Sequence, residues 1–170
     1  MAISDLPFVP NGNKVDSYSY RIFGSALNKY QKKMRKDNMK FIRNCLTSLN
    51  TDLIVRRFST VPQGGNWEDI PKELFTTYSK PQNCHRWLYK RLPENQPSVT
   101  ISNFRKNMLI HPWLDRTLSV REAARLQGFP DSFIFQGNLR SQQQQVANAV
   151  PPQMAQAVIK ALLKSLGRVQ

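Results

Sequence analysis

The 170-residue sequence holds two thiols, Cys45 and Cys84, and two imidazoles, His85 and His111, side chains that can serve as nucleophiles, general bases or metal ligands. Their spacing argues against those roles. The cysteines stand far apart in unrelated contexts, RNCLT and QNCHR, which makes neither a metal-ligand pair nor a disulfide framework. Both read as reduced structural thiols. His85 has no second ligand near it, and His111, followed by Pro112 and Trp113, reads as part of a capped turn, so no metal is expected. What does recur in a chemically useful pattern is cations among aromatics. His85, Arg86, Trp87, Tyr89, Lys90 and Arg91 crowd into one segment, Arg105 and Lys106 follow it, and Arg56 and Arg57 precede Gly64, Gly65 and Asn66. The formal charge is +14 and the pI about 10.2, which points to a polyanionic partner. An arginine can bond two guanine acceptors at once, and paired glycines let a backbone approach a phosphate closely, so His85, Arg86, Tyr89, Arg91, Arg105, Lys106, Arg56, Arg57, Gly64, Gly65 and Asn66 are candidates for contact with double-stranded DNA. The excess charge runs along the whole chain, which suits a broad basic face better than a basic tail.

The elements that must position these residues read as mixed helix and strand. Pro7, Pro10 and Gly12 make residues 1–18 an irregular lead-in. Ile22, Phe23, Ala26, Leu27, Tyr30 and Met34 predict a helix over 20–34 with Lys29, Lys32, Lys33 and Arg35 on its outer face. A second helix is expected from Phe41, Ile42, Cys45, Leu46 and Leu49, and a third from Thr51-Asp52 with Leu53, Ile54 and Val55. Residues 85–104 alternate aromatic, β-branched and polar types around Pro93-Glu94-Asn95-Gln96, a hairpin pattern. Toward the C-terminus, Ser119 and Glu122 form a capping-box pattern that opens a helix ending at Gly128 before Pro130. The glutamine run at 142–145 begins a short helix leading to Asn148. A last helix opens at Pro151-Pro152 and carries Met154, Ala155, Val158, Ile159, Leu162 and Leu163 at helical spacing. With Leu166, that stripe would gain roughly 9–18 kcal/mol if fully buried, and left exposed it marks an interface.

The segment RTLSVREAARLQGFPDSF, followed by QVANAVPP, resembles the last two sequence blocks of the DNA cytosine-5 methyltransferases, in their usual order and at about their usual separation. One position departs: Ala147 stands where the family usually has the glycine before Asn148. The segment RRFSTVPQGGNWEDIP resembles the same family's target-recognition region, Thr100-Ile101 resembles the pair that closes that region, and AISDLP resembles the segment that opens it. The resemblance implies that Thr100 contacts phosphate and that Asn148 and Val150 close over S-adenosylmethionine. Arg116, Arg121, Glu122, Arg125, Gln127, Pro130 and Asp131 would form a structural block. The implied fold class is α+β: N-terminal helices, a target-recognition domain over 19–115 holding a small hairpin, a bracing helix and turn over 116–135, and a C-terminal helical segment over 136–170 that packs on a partner's catalytic α/β domain.

Family members attack the cytosine ring with a cysteine thiolate from a Pro-Cys loop, hold the base with a glutamate from a Glu-Asn-Val segment, and bind the cofactor through a glycine-rich loop. None of these patterns occurs here, and neither cysteine follows a proline. The expectation is the recognition subunit of a split, heterodimeric methyltransferase, inactive alone, whose catalytic subunit carries the Pro-Cys loop, in a restriction-modification or phage DNA-protection setting. No stretch spans a bilayer and MAISDLPFVP lacks a signal-peptide pattern, so the chain is expected in the cytoplasm on DNA. A different class remains as the alternative, a stand-alone basic DNA-binding regulatory protein. A helix-turn-helix version of it is disfavoured because an aromatic run, Phe129 to Phe135, stands where a recognition helix should follow.

Overall fold

A computed structural model describes residues 2–20, 28–35, 40–75, 84–106 and 108–168. Their organising element is a short helix near the middle of the C-terminal half, α3 (Val120–Leu126), buried on nearly every side. Its start is doubly secured. Ser119 Oγ accepts from Glu122 N at 3.2 Å while Glu122 Oε2 accepts from Ser119 N at 2.8 Å, which closes the expected capping box. The next orphan donors, Val120 N and Arg121 N, reach across to the carbonyls of Leu46 and Asn44. The helix ends where Gly128 takes a left-handed φ of +83°, a conformation that disfavours a side chain.

Those cross-chain bonds explain why one expected helix does not form. Residues 43–50 are not helical, and Asn44 takes a left-handed φ of +64°; Cys45 N donates to Asp16 O, Thr47 N to Asn13 O and Gly12 N to Ser48 O, beyond the antiparallel pair of β1 (Tyr18–Ser19) and β2 (Phe41–Ile42). Among the described residues this pair is the only sheet. The helical spacing of Phe41 and Leu49 is not matched by burial, since both are exposed. Of the helix expected over 20–34, the described part is α1 (Lys29–Met34), opened by Asn28 and Gln31 in a capping box; Ile22, Phe23, Ala26 and Leu27 lie outside the described residues. The third expected helix is α2 (Asp52–Thr60), and short 3-10 turns follow at Trp67–Asp69 and Lys72–Leu74.

The expected hairpin over 85–104 is also absent. Residues 86–89 form a turn, and its neighbour in space is the Gly64–Gly65 loop: Gly64 N donates to Arg91 O, Arg91 N to Gly65 O and Trp67 N to Leu88 O, each at 3.1 Å. On its other side Arg91 bridges in parallel to Ile110, which bridges in turn to Thr117. Period-two alternation is correct for an extended segment but does not say which segment it pairs with.

Among the described residues, three apolar clusters fill the interior. Leu92, Phe104, Leu118, Ala123, Ala124 and Val146 pack around α3; Phe58, Phe75, Tyr89 and Ile110 lie under α2; Ile3, Leu6, Val9, Ile42 and Cys45 lie beneath the N-terminal lead-in. α4 (Leu139–Asn148) joins the first cluster through Val146. Ala147 falls inside this helix and does not have a positive φ, so the residue that departs from the family pattern fits its local backbone. α5 (Pro152–Ser165) has no buried residue. No helix among the described residues is long and apolar enough to cross a membrane.

Candidate nucleic-acid interface

Burying α3 requires its charges to be neutralised inside the protein. Glu122 accepts two bonds from Arg116, at 2.8 and 2.7 Å, and one from Ser119 N. Burial alone would raise the Glu122 pKa, but Arg116, His111 and these hydrogen bonds outweigh it and hold the carboxyl at about 2. Arg125 pairs with Asp131 and donates to Asp5 Oδ1 at 3.0 Å, so one guanidinium ties α3 to the turn after it and to the N-terminal lead-in. Arg121 donates to four oxygens: the carbonyls of Arg43, Pro130 and Phe133 and the side-chain oxygen of Asn44. Gln127 Nε2 donates to Ile101 O and Val146 O, joining α3 to α4. The residues expected to form a structural block thus surround one buried polar core.

His111 lies beside that core and is fully buried. Its Nδ1 accepts from Trp113 N and Leu114 N, both at 3.2 Å, and its Nε2 stands 3.5 Å from Glu122 Oε1. Burial lowers its pKa to about 4, against the pull of Glu122, so the ring is neutral near pH 7. It is the capped turn expected from His111-Pro112.

Three candidate DNA contacts are not at the surface. Arg91 donates to Val61 O, Phe58 O, His111 O and Leu114 O and pairs with Asp115; only 6 % of it is exposed. Arg57, 2 % exposed, donates to Leu74 O and to the Tyr89 hydroxyl, and Tyr89 is wholly buried. Their guanidinium donors satisfy chain carbonyls that would otherwise lie buried and unpaired, which is a structural task. Sequence gives no sign of this, because a groove-reading arginine and a carbonyl-satisfying one look alike.

The remaining candidates are accessible. Arg56, His85, Arg86, Thr100, Arg105 and Lys106 are exposed, and Gly64, Gly65 and Asn66 are half-buried in the loop that the turn at 86–89 packs against. Gly64 has φ +75°, and a Cβ there would meet nothing within 4 Å, so this loop is open on its outer side. Asn66 caps the first 3-10 turn by accepting from Glu68 N at 2.7 Å. Lys90 Nζ donates to Gly64 O, a bond the sequence does not announce. Asn44, also unanticipated, is buried at φ +64° and joins Arg121, Phe135 and Gln142.

Asn148 and Val150 are both exposed where α4 gives way to α5, and Asn148 Oδ1 accepts from Gln144 Nε2 at 2.7 Å. Neither thiol sits as a nucleophile should. Cys45 is 2 % exposed, contacts Ile42 O at 3.7 Å, and burial, followed by Glu122, pushes its pKa up to about 12. Cys84 is half-buried against the second apolar cluster.

The family model for C-5 cytosine-specific DNA methylase matches residues 11–164. The chain belongs to that family. It is 35 % identical over 145 residues to the type II methyltransferase M1.HphI of Haemophilus parahaemolyticus, covering 85 % of this chain and 37 % of the relative. M.DdeI of Desulfomicrobium norvegicum is 31 % identical over 180 residues, covering 95 % and 41 %. DNA (cytosine-5)-methyltransferase 2 of Arabidopsis thaliana is 33 % identical over 186 residues, with 96 % of this chain and 12 % of the plant protein covered. The chain therefore spans well under half the length of these relatives. A solved structure of an E. coli protein, described as a candidate DNA modification methyltransferase encoded within a prophage, superposes with a TM-score of 0.68 at 22 % identity over 98 % of this chain and 46 % of that one, which shows a shared fold.

Proposed function

We propose that this chain is the DNA-recognition subunit of a cytosine-5 DNA methyltransferase that moves a methyl group from S-adenosylmethionine to C5 of cytosine in a specific duplex sequence, with the catalytic cysteine on a separate chain. One observation carries the reading: the chain belongs to a thiolate-using family, yet its two thiols are a core residue held protonated and a half-buried residue that follows asparagine. Chemistry on a base requires the base to leave the stack and meet an activated nucleophile. This chain's contribution is to hold the duplex through Arg56, Arg86, Thr100, Arg105, Lys106 and the open loop of Gly64, Gly65 and Asn66.

S-adenosylmethionine supplies the methyl group when bound. An accessible amide at Asn148 beside an accessible apolar side chain at Val150 suits one edge of such a site, and two residues make an edge, not a whole site. The rest would come from the partner. α5 offers a surface for that partner: Met154, Val158, Ile159, Leu162 and Leu166 are each at least 53 % exposed and line one side of a helix held to the body by the Gln153 Nε2 bond to Gly128 O. Such an enzyme would serve restriction-modification or DNA protection. Native mass measurement of the complex purified from its own cells tests the reading: a partner of catalytic-domain size is expected, and a chain that purifies alone on DNA would favour a stand-alone DNA-binding regulator.

A further inference from the structure

The turn at 86–89 carries a residue that none of the roles above uses. Trp87 is 51 % exposed, on a segment whose exposure changes abruptly: His85, Arg86 and Trp87 point outward, while Leu88, Tyr89, Arg91 and Leu92 are buried.

The support is rigid by construction. Tyr89 sits at φ +54°, a costly conformation for a bulky residue, and its ring packs 5.8 Å from Phe58 and 6.0 Å from Phe75. Its hydroxyl accepts from Arg57. On the other side, Leu88 O accepts from Trp67 N, and Arg91, just past the turn, exchanges two backbone hydrogen bonds with Gly64 and Gly65, to which Lys90 adds its bond to Gly64 O. The strained residue and the laced loops together fix where the next residue outward, Trp87, stands. A side chain presented this way loses little conformational freedom when it is covered.

Its neighbours define the chemistry of what covers it. Arg86 is exposed beside it, the chain's charge is +14, and the open Gly64 loop adjoins. Flat aromatic surface flanked by cations is the arrangement with which proteins stack on a nucleobase while holding its phosphate. Apolar side chains also enter opened base steps and keep them unstacked. We propose that Trp87 stacks on a nucleobase at an opened step of the bound duplex, while Arg86 holds the adjoining phosphate. This rests on the DNA-recognition reading and adds to it a contact that tells an opened step from a closed one.

The test uses the full chain and two mixed-sequence duplexes, identical except that one carries a single abasic site that is already unstacked. Wild type should bind the abasic duplex more tightly, since the unstacking is prepaid. Trp87→Ala should weaken binding between about fivefold and a hundredfold and lose that preference, Trp87→Phe should keep part of both, and the salt dependence should not change. Tryptophan fluorescence should be quenched by DNA in wild type and much less in Trp87→Phe, in which Trp67 and Trp113 remain. Thermal midpoints of both variants near wild type would show that the fold is intact. Equal binding and equal quenching in wild type and both variants would overturn the stacking role and leave the recognition reading standing. Failure of wild type to bind either duplex would overturn that reading as well.

Discussion

Replacing Arg91 and Arg86 in turn separates an internal arginine from a DNA-facing one. Arg91 satisfies the carbonyls of Val61, Phe58 and His111 at 2.7, 2.6 and 2.9 Å, and that of Leu114 at 3.3 Å. Asp115, its ion-pair partner, is 43 % exposed, so that pair adds little. Arg91→Ala leaves buried acceptors unpaired at about 1–3 kcal/mol each, contributions that do not add fully, so a loss of about 3–5 kcal/mol is expected. For a chain of 170 residues, at about 2–4 °C per kcal/mol, the thermal midpoint should fall by roughly 6–20 °C. Arg91→Lys should recover little, because one ammonium cannot reach carbonyls placed for a planar fork. Arg86→Ala should leave stability within about 0.5 kcal/mol of wild type. In DNA titration it should weaken binding evenly across sequences and reduce the salt slope, as loss of a phosphate contact does, whereas a loss of about 1–3 kcal/mol confined to one sequence would show that it reads a base. Calorimetry and fluorescence anisotropy on both variants make the comparison. An Arg91→Ala variant with wild-type stability and lost DNA binding would refute the buried assignment.

Two further outcomes follow from the buried polar core and the α4–α5 junction. His111 binds its proton more weakly in the folded than in the unfolded chain, and so does Glu122. The unfolded state therefore takes up more protons between pH 6.5 and about 4 through His111, and between pH 4.5 and about 2 through Glu122, so stability is full above pH 6.5 and falls as pH drops through both windows. The histidine part is worth about 3 kcal/mol at most; denaturant midpoints from pH 7 to 4 should show it, and His111→Gln should flatten the upper window. Asn148→Ala should weaken S-adenosylmethionine binding by the assembled enzyme by up to roughly tenfold, the value of one hydrogen bond, with DNA affinity unchanged, as read by calorimetric titration.

Much of the C-terminal half was legible because its signals are local. Ser119 and Glu122, Gly128, and Pro151-Pro152 act within a turn or two of themselves, and α3 and α5 form where those residues put them, whereas α4 opens ahead of the glutamine run, at Leu139 with Asn138 as its cap. The N-terminal half follows distant partners. Residues 43–50 carry a helical spacing, yet the non-helical backbone there satisfies both the start of α3 and the 12–16 segment, two long-range demands that no window of sequence displays. The same holds for the site. Exposure separates Arg86 from Arg91, and it is set by the Gly64–Gly65 loop and by Ile110, both remote in the chain.

The central claim is a division of labour, and transfer of labelled methyl to cytosine C5 measures it. This chain purified to homogeneity should transfer none. The catalytic subunit alone should also transfer none, and the mixture should methylate duplex DNA. Because Cys45 is a core thiol and Cys84 lacks a nucleophile's setting, the mixture made with the Cys45→Ser, Cys84→Ser chain should keep its activity, provided the variant's thermal midpoint shows it folded. Methylation by this chain alone, or a mixture silenced by replacing two cysteines in a folded chain, would contradict the account.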